Sequence, residues 1–104
     1  MAHGSDRLRL DKWLWHARFC KSRGLAAEMV GEGRVRINGQ PCAKPGRAIG
    51  PGDVLTFGLG GEVMVVRILA CGTRRGPATE AATLWEPLGE TKRPAAAPPP
   101  EQAF

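Results

Sequence analysis

Arg9, Lys12, Arg18, Lys21, Arg23, Arg34, Arg36 and Lys44 crowd the first half of this 104-residue chain, with Ser22, Asn38 and Gly39 among them. Guanidinium groups grip a phosphate through two parallel hydrogen bonds, and ammonium groups act as compact charges. The chemistry these residues offer is attachment to a polyanion. Their distribution supports that reading more than their number does. The formal net charge is +5 and the pI about 9.7. Residues 1–57 hold ten Lys/Arg against five Asp/Glu, and residues 58–104 hold five against five. The whole excess therefore sits in the first half, which is the footprint of a nucleic-acid partner.

Other chemistries find little in the sequence. His3 and His16 have no visible partner set, the carboxylates are scattered, and no Gly-rich phosphate loop of the Walker type is present. We expect no catalysis, no metal and no cofactor. Cys20, Cys42 and Cys71 are widely spaced with no Cys-x-x-Cys pair, so they read as reduced thiols of a cytoplasmic protein. No signal peptide is visible, and the most apolar stretch, residues 63–70, is interrupted by Arg67 and far too short to span a bilayer.

Several elements must hold the cations in place. Residues 1–8 read as a flexible lead-in. Asp11 is placed to cap a first helix, with Leu10 and Trp15 at the spacing of a hydrophobic staple. Ser22 can cap a second, whose stripe is Leu25, Ala26, Met29 and Val30 and whose end is Gly33. Residues 34–38 alternate, with Val35 and Ile37 inward and Arg34, Arg36 and Asn38 outward, before a hairpin turn at Asn38-Gly39. Residues 53–57 and 62–70 read as strands joined by a loop over 58–61. Arg74 and Arg75 lie in a basic loop. Pro77 opens a third helix whose face is Ala81, Leu84, Trp85 and Leu88. Residues 89–104, rich in Pro and Ala, read as a disordered tail.

The order of these pieces resembles the small RNA-binding domain named after bacterial ribosomal protein S4. The resemblance is carried by Arg9-Leu10-Asp11-Lys12, Lys21-Ser22-Arg23, residues 33–39 and Pro51-Gly52-Asp53-Val54. It covers residues 9–57, the core motif of a domain spanning 9–72, with 73–88 as a basic loop and a C-terminal helix packed on it. Trp13-Leu14-Trp15, Ala17-Arg18-Phe19 and residues 74–82 extend the likeness, which is to the bacterial heat-shock protein 15 family. That family implies an α+β S4-type (alpha-L) fold, with two short packed helices on a small, mainly antiparallel sheet. It also implies a non-catalytic protein bound to rRNA on the large ribosomal subunit, acting on blocked subunits that carry peptidyl-tRNA. Better-known members carry a longer basic C-terminal extension, where this sequence shows only Lys92 and Arg93.

The expected RNA contacts are Arg9, Lys12, Arg18, Lys21, Ser22, Arg23, Arg34, Arg36, Asn38, Gly39 and Lys44, with Arg74 and Arg75 as a secondary contact. Recognition should follow shape and backbone rather than base sequence, so the same charge would also hold DNA non-specifically. The expected partners are structured rRNA, tRNA and the large ribosomal subunit, with no membrane, and the chain is expected to be a monomer. Against this stands a plain solvated basic face, with Arg18 paired to Glu28 or Asp11 and Ser22 serving only as a cap. A role in ribosome assembly or quality control is the nearest alternative, followed by a protein-interaction adaptor using the C-terminal helix. Trp15 and Phe19 could stack on bases; burial beneath the third helix with Trp85 is the preferred reading.

Overall fold

A computed structural model describes residues 7–88. Residues 1–6 of the lead-in expected over 1–8, and the tail expected over 89–104, lie outside the described residues. Leu8, assigned to the lead-in, is already part of strand β1 (Leu8–Arg9), which runs directly into helix α1 (Leu10–His16). Asp11 does not cap this helix: Arg9 is the N-cap residue and no side chain caps it. The helix start is satisfied by backbone instead. The Leu10 N–H donates to the Arg47 carbonyl at 2.9 Å and the Asp11 N–H to the Pro45 carbonyl at 3.1 Å. These two amides would otherwise be orphans, so a side-chain cap is not needed.

Both helices stop in the same way. In α1 the Phe19 N–H reaches back to the Leu14 carbonyl and the Arg18 N–H to that of Trp15, with Arg18 at φ +66°. In α2 (Arg23–Gly31) the Arg34 N–H reaches Met29 and the Gly33 N–H reaches Val30, with Gly33 at φ +77°. This is the Schellman closure, which needs a left-handed residue after the C-cap. The expected Ser22 cap is present: its hydroxyl accepts from the Leu25 N–H at 3.1 Å.

The chain then builds β2 (Val35–Ile37), β3 (Gln40–Cys42), β4 (Ala48–Ile49), β5 (Val54–Leu59) and β6 (Glu62–Ile68). Asn38 and Gly39, at φ +52° and +83°, make the turn between β2 and β3. The loop expected over 58–61 shrinks to Gly60-Gly61, because β5 and β6 stay paired out to Leu59 and Glu62.

The third helix is only one turn long. Helix α3 (Ala78–Ala81) passes into a 3₁₀ turn over Ala82–Leu84, and the backbone then extends as β7 (Trp85–Pro87). Three of the four residues expected on one helical face are nonetheless inside: Ala81, Leu84 and Trp85 are buried, while Leu88 is half-buried. What changes is the backbone between them, because β6 has an open edge and β7 fills it, pairing Ile68 with Trp85 and Val66 with Pro87. Pro87 has no N–H to give and sits where that matters least, on an outer strand.

The five-stranded sheet has the order β3-β2-β5-β6-β7, and a separate two-stranded sheet pairs β1 with β4; every pairing is antiparallel. The core includes Leu10, Trp13 and Leu14 of α1, Ala26, Met29 and Val30 of α2, and the inward residues Val35, Ile37, Leu55, Phe57, Val66 and Ile68 of the sheet. Phe19 joins the layers, with its ring 5.0 Å from Phe57, 5.0 Å from Trp85 and 5.9 Å from Trp13. The expected burial of Phe19 with Trp85 is therefore found. Trp15 is only half-buried and sits beside the His16 ring rather than with Phe19.

Candidate nucleic-acid interface

The starts of α1 and α2 meet at one carboxylate. Asp11 is buried, and its two oxygens accept from Arg9 Nε and Nη2, each at 3.1 Å. Arg23 Nε lies 3.8 Å from the same Oδ2 that Arg9 Nη2 contacts. The bond to Asp11 and its charge raise Arg9 above the ordinary arginine pKa, so it is a permanent cation. Lys12 follows on α1, half-buried, and Lys21 is exposed in the link between the helices. Exposed Lys44 precedes the Pro45–Gly46 bend that lies against the Arg9 guanidinium.

The strand cations form a second group. Arg36 is exposed between buried Val35 and Ile37, which puts it on the sheet face away from the helices, flanked by Pro41 and Thr56. Arg34 is exposed at the end of α2 and pairs with Glu32 at 3.2 Å. Both partners of that pair are more than half exposed, so it is weak and easily exchanged for a phosphate. Gly39 is exposed, and nothing lies within 4 Å of where its side chain would be.

Other expected site residues face inward or elsewhere. Arg18 is turned toward the C-terminal segment, where its Nε donates to the Gly76 carbonyl at 2.6 Å; neither Glu28 nor Asp11 is that partner. Asn38 works as a brace: its Nδ2 donates to Asp53 at 3.1 Å, and its Oδ1 accepts from the Val54 N–H at 2.9 Å. Arg74 is clamped to Glu80 by two hydrogen bonds of 2.7 and 3.2 Å, which lowers the Glu80 pKa and raises that of Arg74. Arg75 is half-buried next to it. His16 is a core group: the Cys71 carbonyl, 3.2 Å from its Nδ1, can only accept, so that nitrogen carries a proton.

Residues 8–55 match the family model of the S4 domain. Heat shock protein 15 of Escherichia coli K12 is 44% identical over 84 residues, covering 81% of this chain and 62% of that protein. In Vibrio cholerae, the trimeric structure of heat shock protein 15 superposes with a TM-score of 0.77 at 39% identity, covering 82% of this chain and 85% of that one. The chain belongs to the S4-domain family of heat shock protein 15. The RQC P-site tRNA stabilizing factor of Bacillus subtilis is also similar, at 38% identity over 82% of this chain and 96% of the relative. The chain spans about three fifths of the length of the E. coli heat shock protein 15.

Two features of this S4-family site escape the sequence. Arg47 is exposed in the loop whose carbonyls start α1, and exposed Arg7 reaches the Ala48 carbonyl. For Arg47, its basic character beside the Pro45-Gly46 bend was the available signal. Asp11 was the other, because a carboxylate at a helix start reads as a cap and not as an anchor for two arginines.

Proposed function

We propose that this chain is a non-catalytic RNA-binding protein that holds structured RNA by its phosphate backbone. The proposed contacts are Arg9, Lys12, Lys21, Ser22, Arg23, Arg34, Arg36, Gly39 and Lys44, with Arg47 added from the structure. Arg18 and Asn38 are left out because they hold the Gly76 carbonyl and the start of β5, and Arg74 and Arg75 because they belong to the charge-balanced second part of the chain. The observation that carries the reading is the convergence of Arg9 and Arg23 on Asp11 at the meeting point of both helix starts. Cations fixed on a rigid scaffold suit a partner recognised by shape, as folded RNA is.

The finer proposal is a cytoplasmic partner, the large ribosomal subunit, with recycling of blocked subunits that carry peptidyl-tRNA as the task. Of the relatives' names, heat shock protein 15 carries the resemblance that implies this task, and a P-site tRNA stabilizing factor points to the ribosome itself. The second name favours direct contact with tRNA in quality control as the alternative. The proposed state is a monomer. Among the described residues, no helix is long and apolar enough to cross a membrane, and no group of three metal-ligating side chains is found.

In-cell RNA crosslinking with sequencing tests the proposal. Crosslinks to one large-subunit region together with tRNA are expected. Crosslinks spread over mRNA without ribosomal enrichment would sink the ribosomal part, and an absence of RNA crosslinks would sink the whole.

A further inference from the structure

Asp11 is costly where it stands. A buried carboxylate must be paired, and an apolar residue of similar size often serves stability as well. Its side chain is 4% exposed, while those of its partners Arg9 and Arg23 are 54% and 44% exposed. It does no capping, because the 45–47 loop satisfies the helix start. That same loop fixes its backbone, and a methyl group at Gly46 would lie 3.5 Å from Arg9 Cζ, so the guanidinium is backed on that side too. Arg9 gives Asp11 one hydrogen from Nε and one from Nη2, leaving three of its five N–H groups uncommitted to that carboxylate. Arg23 approaches through Nε, at 3.8 Å. Two guanidinium groups within reach of one oxygen repel each other unless an anion sits between them, and free arginines would each lose rotamer freedom on being ordered.

We propose that Asp11 is a positioning residue whose carboxylate holds Arg9 and Arg23 together as a two-guanidinium clamp for one phosphate of the RNA backbone. This rests on the RNA-binding reading and names a subsite within it. The N–H edges turned away from Asp11 take the phosphate.

Asp11→Asn separates the clamp from simple charge, because the two predict opposite signs. The substitution raises the net charge by one, as does Glu62→Gln at the far β5–β6 hairpin. Charge alone would tighten RNA binding in both. The clamp predicts that Asp11→Asn binds a labelled rRNA stem-loop about tenfold more weakly than Glu62→Gln, in fluorescence anisotropy. Circular dichroism checks folding. Should Asp11→Asn not fold, the double variant Arg9→Lys/Arg23→Lys carries the test: it keeps every charge and loses the forked geometry, and the same tenfold loss is expected. A folded Asp11→Asn that binds as tightly as Glu62→Gln, or an unchanged double-lysine variant, overturns the clamp and leaves RNA binding standing. Failure of the RNA reading looks different, as wild-type protein that binds no RNA. The clamp is then judged with inorganic phosphate. The Arg9 and Arg23 Nε–Hε NMR signals must shift together in wild type and not in Asp11→Asn, and unmoved signals overturn it.

Discussion

Arg18 shows how much one side chain can be asked to do. It sits at φ +66°, where an L-residue other than glycine is strained by about 1 kcal/mol, and its Nε tethers the Gly76 carbonyl at 2.6 Å. Arg18→Ala keeps the strain and loses the tether, so urea unfolding should show a loss of about 1–2 kcal/mol. Arg18→Gly loses the tether but relieves the strain, so it should be the more stable of the two by about 1 kcal/mol. The reverse order would show that the left-handed geometry costs nothing. Cys20 makes a pH prediction. Burial pushes its thiol from the ordinary 9.0 up to about 12, and it is 1% exposed. The unfolded chain loses this proton first as pH rises. The contribution to stability is therefore complete below pH 9.0 and is lost as the pH climbs toward 12. Melting temperatures between pH 8 and 11 should fall along this range, and less steeply in Cys20→Ala. Identical slopes in the two proteins would remove Cys20 as the cause. At pH 8, iodoacetamide should reach half-buried Cys71 before buried Cys20 and Cys42.

At the scale of elements, Ser22 and Trp85 bracket what was legible. Ser22 caps α2 through the Leu25 N–H, a contact three residues away, and Ser22→Ala should cost about 1 kcal/mol in chemical unfolding while Ser22→Asp restores it. Local rules of this kind made α2, its Gly33 end and the Asn38-Gly39 hairpin readable: each is encoded within a few neighbouring residues. The misread elements depend on distant chain. Strand β1 exists because Leu8 meets Ile49, and α1 starts on the carbonyls of residues 45–47. Asp11 satisfied the sequence rule for a cap, but the backbone had already supplied what a cap supplies. In the C-terminal segment, Ala81, Leu84 and Trp85 have helical spacing and are buried, yet β6 offers an open edge that no local pattern announces. Extended Trp85 also brings its ring to within 5.0 Å of Phe19. Trp85→Ala should therefore cost about 3–5 kcal/mol by emptying the space beside Phe19 and weakening the β6–β7 pair. A loss under about 1 kcal/mol would mean that this segment does not close the core.

For the molecule as a whole, the uneven charge becomes an argument about which side meets RNA. Ten Lys/Arg against five Asp/Glu in residues 1–57 give that part its entire excess, and the second part is balanced. Pairing does not separate the two parts, since Arg67–Glu86 at 2.8 Å and Arg74–Glu80 at 2.7 Å in the second are matched by Arg34–Glu32 at 3.2 Å in the first; the surplus of cations does. Arg34 and Arg36 lie on the other side of this divide, exposed on and just before β2. Every phosphate contacted releases condensed counterions, so affinity falls with salt along a log–log line whose slope counts contacts at about 0.7–0.9 each. Arg34→Gln/Arg36→Gln should flatten that line by up to about 1.4–1.8, with rRNA affinity reduced at every salt concentration. Arg67→Gln/Arg74→Gln removes the same formal charge from the balanced part and should leave the slope within error of wild type. Long-range attraction by total charge alone would give the two variants the same loss. A localised interface gives the loss only to the first, because a slope registers contacts made rather than charges carried. Equal slopes in the two double variants would therefore argue that the protein meets RNA as a diffuse cation, with no face of its own.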